Sequence, residues 1–253
     1  LPDGYRPSHQ LSFETITNAN VYSRIYITTD GVVHVNKADA GWLSLEGIYF
    51  TAAGTVSFTD VTPFYNSWTN YTAVYGGNYA NVSYGVDNIG RVHTRGLASS
   101  GTLTNSTRIA SLPTPQLPPA DVRILPSDSN VYAAFQLDGR APNNGFITGY
   151  GGSTYLSLQA MFHPTNYTGW TNLTLQNSWV NYGTPFTTAR YIKSADGIVS
   201  LSGLLRSGST TSDVVIATLP AGSRPSGRTL YGIASGNVAM GRIDIDTSGN
   251  IRY

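Results

Sequence analysis

Leu1–Ser8 reads LPDGYRPS and Leu219–Ser226 reads LPAGSRPS, so Leu, Pro, Gly, Arg, Pro and Ser recur in the same order. The likeness continues without a gap at a constant offset of 218 positions: Arg24-Ile25-Tyr26-Ile27 falls on Arg242-Ile243-Asp244-Ile245, and Gly31 falls on Gly249. The prolines cannot donate to a β-ladder, so the motif marks a corner or an edge between strands. The alternating run that follows predicts a strand, and the Asp30-Gly31 and Ser248-Gly249 pairs predict hairpin turns.

Working outward, the same kind of likeness joins other parts of the chain. Asn66-Ser67-Trp68 and Asn70-Tyr71 recur as Asn177-Ser178-Trp179 and Asn181-Tyr182. In that frame Gly96-Leu97 falls on Gly203-Leu204, and Leu112-Pro113 on Leu219-Pro220. Asn20–Tyr22 recurs at Asn130–Tyr132, and GWLSLEGIYF (Gly41–Phe50) is echoed by STYLSLQAMF (Ser153–Phe162). One unit is therefore roughly 100–110 residues, the size of a β-sandwich domain. The reading divides the chain into a partial first unit (1–58), a second unit (59–164) and a third (165–253). The first unit lacks its opening strands, which fits either a cut fragment or an exchange of strands between units.

No stretch carries apolar residues at i, i+3, i+4 and i+7 with caps, so no long helix is expected. Period-two alternation predicts strands at residues 24–28, 198–202 and 242–246. The Pro-rich stretch Leu112–Pro119 is expected to be an extended crossover. The fold class that follows is all-β, built of tandem repeated antiparallel β-sandwich (jelly-roll-like) units.

Composition supports this. Charged residues make up 11% of the 253 residues, and Thr, Ser, Asn and Gly carry the polarity instead. Those residues favour turns and strands over helix interiors. The net charge of +1 gives no drive toward nucleic acid or toward charge-driven membrane binding. No apolar run approaches the roughly 20 residues that span a bilayer. With no Cys there is neither a disulfide framework nor a thiolate zinc site.

Taken together, the Trp179–Tyr182 opening, the strand pair in Asp196–Gly208, the Ile216–Ser226 corner and the Gly241–Ile251 strand resemble tail-fibre, baseplate and receptor-binding proteins of tailed phages. The resemblance covers nearly the whole chain, in repeated form, and extends to GWLSLEGIYF as a strand. It implies a homotrimer in a virion tail or spike, exposed outside the cell, that holds bacterial cell-surface polysaccharide and contacts other tail proteins. It carries no shared set of binding residues.

Enzymatic chemistry finds little support in the sequence. The acidic residues sit mostly in turns, as at Asp30-Gly31, Asp138-Gly139 and Asp196-Gly197. No pair of carboxylates is set apart for glycoside hydrolysis. His9, His34, His93 and His163 lack ligand spacing, so neither a metal nor a cofactor is expected.

The most informative positions are those where the second unit departs from its neighbours. Between Trp68 and Tyr84 it is four residues longer than between Trp179 and Tyr191, with the extra material in Ala73–Asn81. Its hairpin turn, Asp138–Gly145, is also four longer than Thr28–Gly31. Loops tolerate insertions and carry binding residues on a rigid scaffold. Tyr rings offer apolar faces to sugar C–H groups, and Asn and Arg offer fixed hydrogen bonds to hydroxyls. The expected glycan site is Tyr75, Asn78, Tyr79, Arg140 and Asn144. Arg91, His93 and Arg95 alternate onto one strand face and form a second candidate for acidic sugars, weighed against a merely solvated face. Trp68 and Trp179 are candidates for sugar stacking, weighed against a shared packing role. The function expected is adhesion to a surface glycan without cleavage. The alternatives are a structural spacer or baseplate module, and a carbohydrate-binding domain of a depolymerase.

Overall fold

The computed structural model describes residues 1–18, 21–38, 41–102, 106–124, 133–139, 145–151, 155–235 and 239–253. The chain is nearly all β and forms several antiparallel sheets. The first has three strands, in the order Leu11–Ile16, Tyr22–Ile27, Val33–Lys37. A second has four, in the order Val122–Ile124, Ala133–Leu137, Phe146–Gly151, Thr107–Ser111. A third, at the C-terminal end, runs Thr229–Ser235, Ala239–Ile245, Asn250–Arg252, Val215–Thr218. A further sheet runs Thr59–Asp60, Ser83–Val86, Val92–Arg95, Ala160–Phe162, its last strand following the second sheet in sequence.

Alternation places the core. In Tyr22–Ile27, Ser23, Ile25 and Ile27 are buried while Tyr22, Arg24 and Tyr26 are half-buried. Ile25 and Ile27 pack with Leu11 and Phe13 under Leu43, Ile48 and Phe50. The largest core gathers Trp68, Val92, Ile109, Phe135, Leu137, Ile147, Leu156 and Phe162, and a third centres on Ile216, Leu219, Ile245 and Ile251.

The Leu-Pro corner has a physical reason for its residues. The Leu1 amino group donates to the Gly31 carbonyl at 2.7 Å, and the backbone N–H of Leu219 donates to the Gly249 carbonyl at 2.8 Å. The Leu112 N–H donates in the same way to Gly145 at 2.8 Å. Arg6 Nε then donates to the Leu1 carbonyl, and Arg224 Nε to the Leu219 carbonyl, at 3.1 and 3.0 Å. The turn glycine lies against that carbonyl in a left-handed conformation: Gly31 has φ +84° and Gly249 φ +85°, and a Cβ on either would fall within 2.7 Å of the Leu oxygen. Leu, Arg and the distant Gly are therefore parts of one clamp.

A second clamp involves the tryptophans. Trp68 is 3% exposed and stands at the centre of the largest core. Gly101 lies flat on its indole, so close that a Cβ would come within 2.2 Å of three ring atoms. Gly208 lies on Trp179 in the same way. Both tryptophans thus pack, and Trp68 is unavailable to a ligand.

Two expectations change. Leu112–Pro119 is extended at Pro113 and Leu117 but turns once as a 3-10 helix over Thr114–Gln116, since Pro115 suits the first turn of a helix. Gly41–Phe50 is not a strand. Its backbone meets the first sheet at the Thr17–Leu43 bridge and the Ser44 N–H to Ile16 carbonyl bond, Ser44 Oγ donates to the Leu230 carbonyl, and its hydrophobes cap the first core.

Candidate functional site

The longer loop of 73–81 builds a wall of an open cleft. Tyr71–Tyr75 forms a single helical turn, and Gly76 and Gly77 follow with positive φ, so the chain reverses and presents Asn78 and Tyr79. The loop is anchored from the N-terminal segment. The Gln10 N–H donates to the Asn78 carbonyl at 3.0 Å, and Gln10 Nε2 donates to the Tyr79 hydroxyl at 2.7 Å. The cleft encloses about 580 Å³ and is lined by Ser8, His9, Thr29, Asp60, Thr72, Gly77, Asn78, Tyr79, Asn81, Ser83 and Arg95.

Its polar groups are held by one another. Thr72 Oγ1 donates to Asn81 Oδ1 at 3.1 Å, and Asn81 Nδ2 donates to Asp60 Oδ2 at 2.8 Å. On the other side Arg95 donates from Nε to Ser83 Oγ and from Nη1 to Ser8 Oγ, both at 3.1 Å, with its guanidinium 3.6 Å over the Phe58 ring. Burial lowers the pKa of Arg95 and Asp60 opposes this, so Arg95 remains a cation. Burial, then the charge of Arg95, lowers the pKa of His9 and keeps it neutral at neutral pH. Burial raises the pKa of Tyr79, which keeps its phenol protonated and able to donate. The lining is then one cation, one carboxylate and a set of neutral hydroxyls, amides and rings. That chemistry suits a hydroxyl-rich ligand that carries little net charge.

Beside the cleft the tyrosines form a cluster. Tyr71 meets Tyr75 at 4.8 Å, Tyr79 at 5.5 Å and Tyr155 at 5.6 Å between ring centroids. Tyr75 is 58% exposed and does not line the cleft, standing one ring away from Tyr79 through Tyr71.

The structure therefore brings Asn78, Tyr79 and Arg95 together and sets Tyr75 at their side. Arg140 and Asn144 lie outside the described residues. Arg91 and His93 correct the expectation of an open strand face. Both are buried, and Arg91 Nε and His93 Nε2 share the Asp87 carboxylate at 2.7 and 2.9 Å. Arg91 also reaches Asp196 at 2.8 Å, more than one hundred positions further along the chain. Period-two spacing assigned a common side but could not show that other segments cover it. Burial alone would raise Asp87, but hydrogen bonds from His93 and Arg91 outweigh it and hold the carboxyl at about 2.

Ser8, His9, Thr29, Asp60 and Thr72 were not anticipated. They come from four other stretches of chain, and nothing in their local sequence marks them. Asn81 lay within the insertion and was legible as part of it.

Comparisons with protein-family models, with curated proteins and with solved structures return no match to this chain.

Proposed function

We propose that this chain is a receptor-binding part of a phage tail fibre or spike that adheres to a bacterial surface glycan without cleaving it. The single observation that carries the reading is the cleft, where the Asn78–Tyr79 loop and Arg95 line one polar surface. Its lining holds one carboxylate, Asp60, among the described residues, whereas glycoside hydrolysis by the usual route uses two. This favours binding over hydrolysis. The finer architecture proposed is a string of β-sandwich, jelly-roll-like units assembled as a homotrimer, in which three weak sites act together. The shared strand order of the sheets and the recurring Leu-Pro corner support the repeated units.

The test is binding of fluorescently labelled protein to a panel of bacterial cells, competed by their purified polysaccharides. Saturable, competed binding with no reducing ends released is expected. Asn78→Ala, at an exposed loop position, should weaken binding by about tenfold, the loss of one good hydrogen bond, and leave Tm unchanged. Unaltered affinity in that variant removes the cleft as the site. No binding to any cell turns the reading to a structural spacer.

A further inference from the structure

One straight row of side chains crosses the cleft. Asp60 pairs with Ser83 on the neighbouring strand, and Ser83 pairs with Arg95 on the next. Residues directly opposite one another in antiparallel strands share a face, and all three line the cleft. Two strand spacings set the backbones of Asp60 and Arg95 about 10 Å apart. Ser83 between them is small and buried, so the row is a notch with a charged residue at each end.

Both charged groups are fixed in place, and neither neutralises the other. Asn81 Nδ2 holds Asp60 Oδ2, and Thr72 holds Asn81 in turn. Arg95 lies on the Phe58 ring and donates from Nε to Ser83 and from Nη1 to Ser8. Among the described residues no ion pair joins Asp60 or Arg95 to any side chain, and Asp60 Oδ1 and Arg95 Nη2 take no protein partner. The sheet of Thr171–Asn172, Arg190–Lys193 and Val199–Ser202 carries a matching row, in which Asn172, Arg190 and Ser202 face one another. Arg190 lies over Trp170 there as Arg95 lies over Phe58. A guanidinium on an aromatic ring is thus common to both rows. The carboxylate is particular to the cleft, since Asn172 stands in the place of Asp60.

We propose that the cleft selects a zwitterionic glycan segment, with an amino group paired to Asp60 and an acidic group paired to Arg95. The proposal rests on the glycan reading of this cleft and adds the charge pattern of the ligand. An uncharged ligand would take water from both charged groups and return no counter-charge, which costs free energy. A segment with opposite charges on neighbouring sugar rings supplies both counter-charges and carries no net charge itself.

The experiment titrates the full chain with four oligosaccharides at about pH 6, where amines are protonated. One alternates glucuronate with N-acetylglucosamine and is anionic, and the second is the same oligosaccharide after removal of its acetyl groups, which makes it zwitterionic. The third is a cationic glucosamine oligomer and the fourth a neutral N-acetylglucosamine oligomer. The zwitterion is expected to bind about fivefold more tightly than its acetylated parent, the gain from one exposed charge pair, and more tightly than the other two. Asp60→Asn, which places at the row's end the residue that the matching row already carries, should leave Tm unchanged and abolish the difference between the first two. Equal affinity for the acetylated and deacetylated forms, or binding of neither, overturns the proposal. So does a preference for the zwitterion that survives Asp60→Asn. Polysaccharide-competed binding to cells that persists in those cases leaves the glycan reading standing, and its loss removes that reading as well.

Discussion

Gly101→Ala is expected to destabilise the chain by about 1–3 kcal/mol or more, the range for an overpacked core. The added methyl would fall within 2.2 Å of three atoms of the Trp68 indole, and Trp68 is buried among Val61, Val82, Ile109 and Leu156. Neither ring nor backbone can yield without opening that core, because interiors are close-packed and transmit strain. Gly208→Ala makes a similar clash, with its Cβ 1.9 Å from the Trp179 ring. Trp179 is half-buried, so its ring can swing toward solvent and the effect should be smaller. Urea denaturation followed by tryptophan fluorescence checks the pair. If the two variants shift the midpoint equally, or Gly101→Ala not at all, the account of these glycines as indole platforms is wrong.

Acid should destabilise the chain well above the range where carboxylates titrate. His163 is 5% exposed, its ring packs edge-on against Tyr167 and Trp170, and its Nε2 is buried with no hydrogen-bond partner among the described residues. Burial lowers its pKa to about 4 from an ordinary 6.5; Arg91 and Arg190 push the same way, while Asp87 and Asp196 push back. Between those values the unfolded chain binds the proton and the folded chain resists it. The contribution of His163 is therefore complete above pH 6.5 and is lost as pH falls through about 4. The loss across that window is on the order of 3 kcal/mol, with a slope of up to about 1.4 kcal/mol per pH unit. Asp87 adds a separate loss below this window, as pH falls from 3.8 toward about 2 and its bonds to His93 and Arg91 break. Denaturation midpoints measured from pH 7 to 4 should slope downward in the parent chain and be flatter in His163→Phe. His9→Gln serves as the control for the other histidine whose pKa is lowered. An unchanged slope in His163→Phe would assign the acid sensitivity elsewhere.

The sequence by itself determined the local conformations. Alternation in Arg24–Ile27 and Arg242–Ile245, glycine after Asp30 and Ser248, and proline beside leucine each restrict the backbone through one or two residues, so they produce strand, turn and corner wherever they occur. The four-residue insertion was legible for the same reason, and its Asn78 and Tyr79 do line a cleft. Tertiary structure decided what each face meets. Arg91 and His93 alternate like exposed residues, yet both are buried against Asp87, and Arg91 also reaches Asp196, over one hundred positions away. The cleft needs Ser8 and His9 from one corner, Asp60 from an edge strand and Arg95 from another sheet position, joined by side-chain bonds that no periodicity encodes. Spacing along a strand specifies the side on which a residue lies, because the pleat repeats every two residues; whether water, a carboxylate or a second strand lies there depends on contacts distant in sequence.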